Sequence, residues 1–364
     1  MGTKIRSICV ICAAAISLQA AGQKHGFDFV TSCHSGVAIQ SDSSGFSSVS
    51  LGSAATNWKR LPHRILDVGP VVANHVVGVI TESFRNLYVY SENDGRFLWN
   101  REVHSNFLAS DGKYFYISRS DDYSGITALD PSSGRLVWSL KVPRPKTGGP
   151  YIHFLSVAGG FLYTDSYVVD LSKHAAVHIW PDGPDDPYVI SIEPGDNGEL
   201  LVGDSSGRIS VYDKQFKLLR SLQAGEGFVT QLASVDNGFL ATTYDQPSMS
   251  NQGSFVFLGA DGRPQWQLPW TSDNWLDQQP FTVVGGSVLV IEPGAAKDKL
   301  RMASRRLSDG NLNWTTSDGD FFGPPVVCGS EIYVKKGDQI RTFDLQTGVE
   351  QNLNMLRVAR GAKR

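Results

Sequence analysis

The chain has 364 residues, 41% of them apolar, with 33 basic against 36 acidic side chains and a formal net charge of −3. That is longer than an ordinary single domain of roughly 100–200 residues, and apolar enough to bury a core. The near-balance of charge leaves no basic footprint, so no nucleic-acid partner is expected.

Residues 1–22 read as an export signal. Lys4 and Arg6 give a positive start, an apolar run extends from Ile8 to Leu18, and Ala20, Ala21 and Gly22 offer a cleavage site before Gln23. The run is too short for the roughly 20 residues that span a bilayer. Cys9 and Cys12 lie inside it, and neither has the context of a lipid-attachment site. The expectation is a soluble periplasmic or secreted chain, with one domain over 23–356 and a basic tail over 357–364.

Beyond the signal the chain is repetitive, and repetition decides the fold before any local element does. Ile126 to Trp138 shows the grammar: an alternating strand, a polar turn closed by Gly134, and a second strand with tryptophan four residues after that glycine. Phe46 to Trp58 and Val168 to Trp180 are degenerate copies that keep the tryptophan. Leu87 to Trp99, Phe255 to Trp266 and Ala303 to Trp314 carry Asp-Gly at the turn. Ile209 to Arg220 has lost glycine and tryptophan, and Ile340 to Asn352 keeps Gly348 but not tryptophan. The marker positions 58, 99, 138, 180, 220, 266, 314 and 352 are separated by 41, 39, 42, 40, 46, 48 and 38 residues. Four-stranded propeller blades repeat every roughly 40–50 residues. Pro325 to Val327, Glu331 to Lys335, Leu200 to Gly203 and Phe239 to Thr243 read as inner strands. No run keeps a helical period. The prediction is all-β, with seven or eight blades and eight by the spacing.

In such a unit glycine supplies the positive φ of a hairpin turn, and the preceding aspartate bonds its own backbone. Tryptophan is large enough to wedge between blades while its N–H donates a hydrogen bond. Trp58, Trp99, Trp138, Trp180, Trp266 and Trp314 are therefore expected to dock blade on blade.

These copies resemble the repeat of the pyrroloquinoline-quinone enzymes and their non-enzymatic relatives, through the strand, the Ala/Val-Leu/Tyr-Asp step, the glycine turn and the tryptophan. The resemblance implies an eight-bladed propeller of four-stranded antiparallel blades. The quinone enzymes hold their cofactor against a disulfide between adjacent cysteines and use calcium. Beyond the leader this chain has only Cys33 and Cys328, so the resemblance points to the non-enzymatic branch, with no cofactor. The chain is also similar to the scaffold component of bacterial outer-membrane barrel assembly, which is lipid-anchored, as this chain is not expected to be.

Few residues suggest chemistry. Trp270 and Trp275 lie out of phase in Pro269–Asp277 and would suit a ligand platform for a sugar or peptide, or the edge of a long blade. The loop Pro181–Pro187 has three aspartates but lacks calcium-loop spacing, and Asp121-Asp122 is no better. His63, His75, His104, His153, His174 and His178 are scattered. Asn313-Trp314-Thr315 is a glycosylation sequon by pattern alone. No catalytic or metal residue is assigned. Cys33 and Cys328 sit at similar places in the first and last units, neighbours in a closed ring, so either a bridge or two buried thiols is expected. The reading is a non-enzymatic scaffold for a protein or polymer partner. The alternatives are a carbohydrate-binding or carbohydrate-active protein with its site at the channel mouth and, more weakly, a quinone-dependent dehydrogenase. Oligomeric state is left open.

Overall fold

The computed structural model describes residues 29–32, 37–42, 45–50, 56–60, 66–81, 85–105, 107–118, 125–142, 155–180, 187–195, 198–244, 252–271, 281–296, 299–337 and 339–351. Over these, 31 strands form eight antiparallel sheets, each a simple up-and-down meander in chain order. Blade 1 is β1–β4 (Phe29–Ser32, Val37–Asp42, Gly45–Ser50, Thr56–Arg60) and blade 2 is β5–β8 (Leu66–Ala73, Val76–Thr81, Asn86–Ser91, Phe97–Glu102). Blade 3 is β9–β12 (Leu108–Ser110, Phe115–Ser118, Gly125–Leu129, Leu136–Lys141) and blade 4 is β13–β16 (Leu155–Ala158, Phe161–Thr164, Tyr167–Asp170, Ala175–Ile179). Blade 5 is β17–β20 (Val189–Pro194, Leu200–Asp204, Arg208–Tyr212, Leu218–Gln223) and blade 6 is β21–β24 (Phe228–Val235, Gly238–Tyr244, Gln252–Gly259, Pro264–Thr271). Blade 7 is β25–β28 (Phe281–Val284, Ser287–Pro293, Leu300–Arg306, Leu312–Thr315). Blade 8 is β29–β31 (Phe321–Cys328, Glu331–Lys336, Gln339–Asp344), with a bridge between Phe343 and Glu350 where a fourth strand begins. The fold is an eight-bladed, all-β propeller.

First strands of neighbouring blades touch, β1 with β5, β5 with β9, β9 with β13, β17 with β21 and β25 with β29, so they form the inner ring. Side-chain bonds cross it. Ser191 Oγ donates to the Val229 carbonyl at 2.7 Å, the Gln231 amide exchanges two bonds with the Phe281 backbone, and Thr282 donates to the Pro325 carbonyl. Burial follows radius. β6 and β18 are buried along their whole length, while the outer β20 is exposed along most of its own.

The apolar interior is divided. Seven clusters of buried side chains each combine two adjacent blades, from Ile39, Phe46, Trp58 and Val79 between blades 1 and 2 to Leu289, Phe321, Ile332 and Phe343 between blades 7 and 8. A blade alternates its side chains between two faces and buries both against neighbours, so stability resides in the seams. Tyr163 lies in the seam of blades 4 and 5, where burial pushes its phenol up to about 12. Cys328 ends β29 and is disulfide-bonded. Cys33 directly follows β1 in sequence and lies outside the described residues.

Candidate interaction surface

The seams follow from one register. In blades 1 to 7 the third and fourth strands pair with an irregularity at the same place, a bulge that turns the next outer-strand residue toward the neighbouring blade. The residues aligned just before the shift are Trp58, Trp99, Trp138, His178, Arg220, Trp266 and Trp314.

Four tryptophans dock alike. The indole N–H of Trp58 donates to the Glu92 carbonyl at 2.8 Å, Trp99 to Pro131 at 2.9 Å, Trp266 to Leu307 at 2.7 Å and Trp314 to Leu345 at 3.2 Å. Each acceptor belongs to the next blade, and each ring lies on the glycine that closes that blade's outer turn. A Cβ on Gly95 would stand 2.6 Å from Trp58, and one on Gly134 2.9 Å from Trp99. These glycines also have φ of 65° and 67°, so both space and backbone call for glycine. Arginine two residues past the tryptophan completes the clasp: Arg60 donates to the Gly95 carbonyl at 2.6 Å and Arg101 to Gly134 at 2.7 Å. Asp130 shapes its turn by accepting from the Ser132 and Ser133 backbone and the Ser133 hydroxyl, as Asp344 does with Gln346 and Thr347.

Blade 4 departs on both sides. Its turn carries His174 where blades 2, 3, 6, 7 and 8 carry glycine, at φ 51°, and the imidazole stacks on Trp138 at 4.7 Å. On its other side the docking register is held by His178. Trp180, expected there from sequence, lies two residues beyond. Its N–H donates to Thr164 within its own blade at 2.9 Å, and its buried ring packs on Tyr212 of blade 5. The expectation followed the tryptophan, whereas the bulge follows the turn. Counting four residues from His174, as from Gly134 to Trp138, lands on His178. Arg220 holds the corresponding place in blade 5, reaching the Ala260 carbonyl at 3.0 Å, while Leu222 fills the space over Gly262.

The meander also sorts the connections onto two faces. The first-to-second and third-to-fourth turns share one face, and there Ala73 passes to Val76 and Val284 to Ser287 through single tight turns. The second-to-third and blade-to-blade connections share the other. Four of them have seven residues or more, longer than any connection on the turn face: 142–154, 180–188, 245–251 and 272–280. This connection face collects the loop residues singled out in sequence. Trp270 pairs with Gly253 near the end of β24, and Trp275 comes after it in 272–280, outside the described residues. Asp121 and Asp122, and the aspartates at 182, 185 and 186, also lie outside the described residues, in two connections of the same face. The described histidines do not gather: His75 and His174 are on the turn face, His104 is on the connection face and His178 is within β16, while His63 and His153 lie outside the described residues. Asn313 of the sequon bonds Ser287 and Ser304 with its side-chain amide.

The charges that lie closest to the core are paired. Glu292 is buried on β26 between Arg301 and Arg305, at 2.8 and 2.9 Å, and Arg305 also donates to the Gly310 carbonyl at 3.0 Å. That triad braces the turn on which Trp266 rests. Among the described residues no group of three His, Cys, Asp or Glu is placed to hold a metal ion, and no helix is long and apolar enough to cross a membrane.

Fold and repeat together define a quinoprotein-type β-propeller. Within it, residues 45–170 match the family model described as outer membrane protein assembly factor BamB. The crystal structure of BamB from Moraxella catarrhalis superposes with a TM-score of 0.62 at 16% identity, covering 84% of this chain and 93% of that one. The computationally designed Ika8 protein gives a TM-score of 0.62 at 12% identity, covering 91% and 99%. The dihydro-heme d1 dehydrogenase NirN gives 0.61 at 13% identity, covering 79% and 66%. At these identities the likeness is one of fold, which designed, assembly and redox proteins share. No curated protein matches the chain by sequence.

Proposed function

We propose that the protein is an exported scaffold of the cell envelope that holds a protein partner on its connection face. The observation that carries this is the asymmetry of the ring, with four connections of seven or more residues on one face and none of that length on the other. Long loops on a rigid body are where binding residues concentrate. The likeness to BamB, named as an assembly factor, supports a protein partner and an envelope location. Charge narrows the partner. The four connections carry Asp182, Asp185, Asp186, Asp245, Asp273 and Asp277 against Arg144 and Lys146. A basic surface would be attracted to this face, and the attraction would fall with salt. The out-of-phase Trp270 and Trp275 favour a second reading, a polysaccharide ligand on the same face.

The test uses the chain from Gln23 as bait against envelope and culture fractions, beside a variant in which 182–186 and 273–277 lose their aspartates. Salt-sensitive recovery of one protein by the parent but not the variant supports the scaffold. Equal recovery by both removes the connection face. Recovery of glycan alone, lost in a Trp270→Ala/Trp275→Ala variant, establishes the second reading instead.

A further inference from the structure

We propose that the seam between blades 4 and 5 is a pH-sensitive joint, closed with neutral His178 and loosened when that imidazole takes a proton. Every other aromatic outer-strand residue in the docking register is tryptophan, which donates but never titrates. His178 alone brings a titratable ring into this position. Its stacking partner is Phe216 of blade 5, at 5.3 Å and 21°, standing with φ 60° in the turn where blades 2, 3, 6, 7 and 8 place glycine. Trp180 meets the imidazole edge-on at 4.5 Å, and Tyr212 lies 6.0 Å away. The ring is thus boxed by three aromatics, and its Nε2 is buried without a hydrogen-bond partner among the described residues.

Protonation of this ring must bring a charge into apolar surroundings with no acceptor for the buried N–H. Stacking on Phe216 returns part of that cost, since a ring face attracts a cation. The balance is unfavourable: burial holds the His178 pKa below the ordinary histidine value. The ionisable groups on the elements around it are Tyr163 on β14, Asp165 in the turn that follows, Tyr167 and Asp170 on β15, Tyr212 at the end of β19, with Arg208 and Asp204 acting on Tyr212, and Asp213, Lys214 and Lys217 in the turn that carries Phe216. None forms an ion pair or hydrogen bond with the ring among the described residues. Asp213 is occupied by the backbone of Gln215 and Lys217, and Asp204 by Arg208.

The neighbouring seam is a built-in contrast. His174 is exposed and lies face to face with Trp138, so an imidazolium there keeps a favourable contact. Protonation should therefore open one side of blade 4 and not the other. Trp180 is also where the chain leaves β16 for the connection 180–188, so loosening this seam frees the root of one long loop on the connection face.

The linkage has a definite sign. A histidine whose folded pKa lies below its unfolded value leaves stability intact above about pH 6.5. Stability then falls as pH drops, because the unfolded chain binds the proton first. Urea unfolding of the chain from Gln23 at pH 7.5 and 5.5 should show the folding constant falling several-fold more in the parent than in His178→Phe, and by roughly ten-fold at most. A His178→Trp/Phe216→Gly variant, which restores the repeat on both sides, should match His178→Phe. Hydrogen exchange on the parent alone reads the place. After correction for intrinsic rates, peptides covering 161–180 and 208–222 should exchange faster at pH 5.5, and those covering 86–102 should not. Equal pH dependence in parent and His178→Phe would overturn the proposal. So would an exchange increase absent from this seam or shared evenly by all, a result that needs no variant to fold.

Discussion

The seam between blades 1 and 2 and the seam between blades 4 and 5 perform one task with different chemistry. In the first, Trp58 lies on Gly95, its N–H is spent on the Glu92 carbonyl, and Arg60 clamps the same turn. In the second, His178 lies on Phe216, its Nε2 is without a partner, and a bulky side chain occupies a left-handed turn position. A non-glycine residue in that conformation costs about 1 kcal/mol or more. What survives in both is the bulge and the register, not the residue type. A blade in this chain is defined by where the backbone shifts, and the docking side chain can then be replaced.

The largest effect tests the seam that no sheet closes. Among the described residues, blade 1 is built from the N-terminal strands and blade 8 from the C-terminal ones, with no strand shared between them. Cys328 is disulfide-bonded at the end of the innermost strand of blade 8, and Cys33 comes directly after the innermost strand of blade 1. Pairing of these two would close the ring covalently on its turn face. Cys33→Ser or Cys328→Ser should then cost about 5–6 kcal/mol in the chain-entropy model. Chemical denaturation with and without reductant checks it: the parent should fall to the level of either variant under reductant, and the double variant should be no worse than the singles. A free thiol at Cys33 in the denatured, unreduced parent would reject the pairing.

Next in size is the docking ring itself. Trp99→Ala should cost about 3–5 kcal/mol, because it empties a seam and orphans the Pro131 carbonyl. His178→Ala should cost clearly less, since it removes a smaller ring that donates no bond across the seam. Equal losses would mean that the two seams are equally tight and that the difference in their chemistry does not reach their stability. Glu292→Ala should cost about 3 kcal/mol by leaving Arg301 and Arg305 without their partner. Because Arg305 also holds the Gly310 turn, exchange should rise around Trp266 as well as within β26.

Much of this architecture is legible in the amino-acid sequence, and the reason is periodicity. Six of the eight tryptophans and the Asp-Gly turns recur at blade spacing, and the structure sets eight sheets on that spacing. Blade 4 misleads because its tryptophan keeps the residue type but not the register. The spacing from Asp170 to His174 repeats that from Asp130 to Gly134, and places the docking residue at 178. A bulge leaves no residue signature, so only that count could reveal it. The candidate surface is legible as isolated loops but not as a face. Trp270, Asp121 and Asp182 are far apart in sequence, and only the up-and-down order of each blade brings their connections to one end.

The smallest expected effect separates the two kinds of seam by pH. The carboxyls of Asp94, Asp309 and Asp344 are held below the usual carboxylate range: Asp309 by the Asn311 N–H, Asp94 by the Ser91 hydroxyl and the Arg96 N–H, Asp344 by Thr347. A depressed carboxyl contributes stability that is present above its unfolded pKa, near 4, and is lost as pH falls toward the folded value. These turns seat tryptophans, since Gly95, Gly310 and Gly348 lie under Trp58, Trp266 and Trp314. The tryptophan seams should thus weaken only below about pH 4, well under the window in which His178 acts. Asp309→Asn should flatten the acid limb of the stability profile slightly and leave pH 5–8 unchanged, whereas His178→Phe should do the reverse. A shared window for both variants would show that the seams are one cooperative element, and that the chemistry of blade 4 is a variation without consequence.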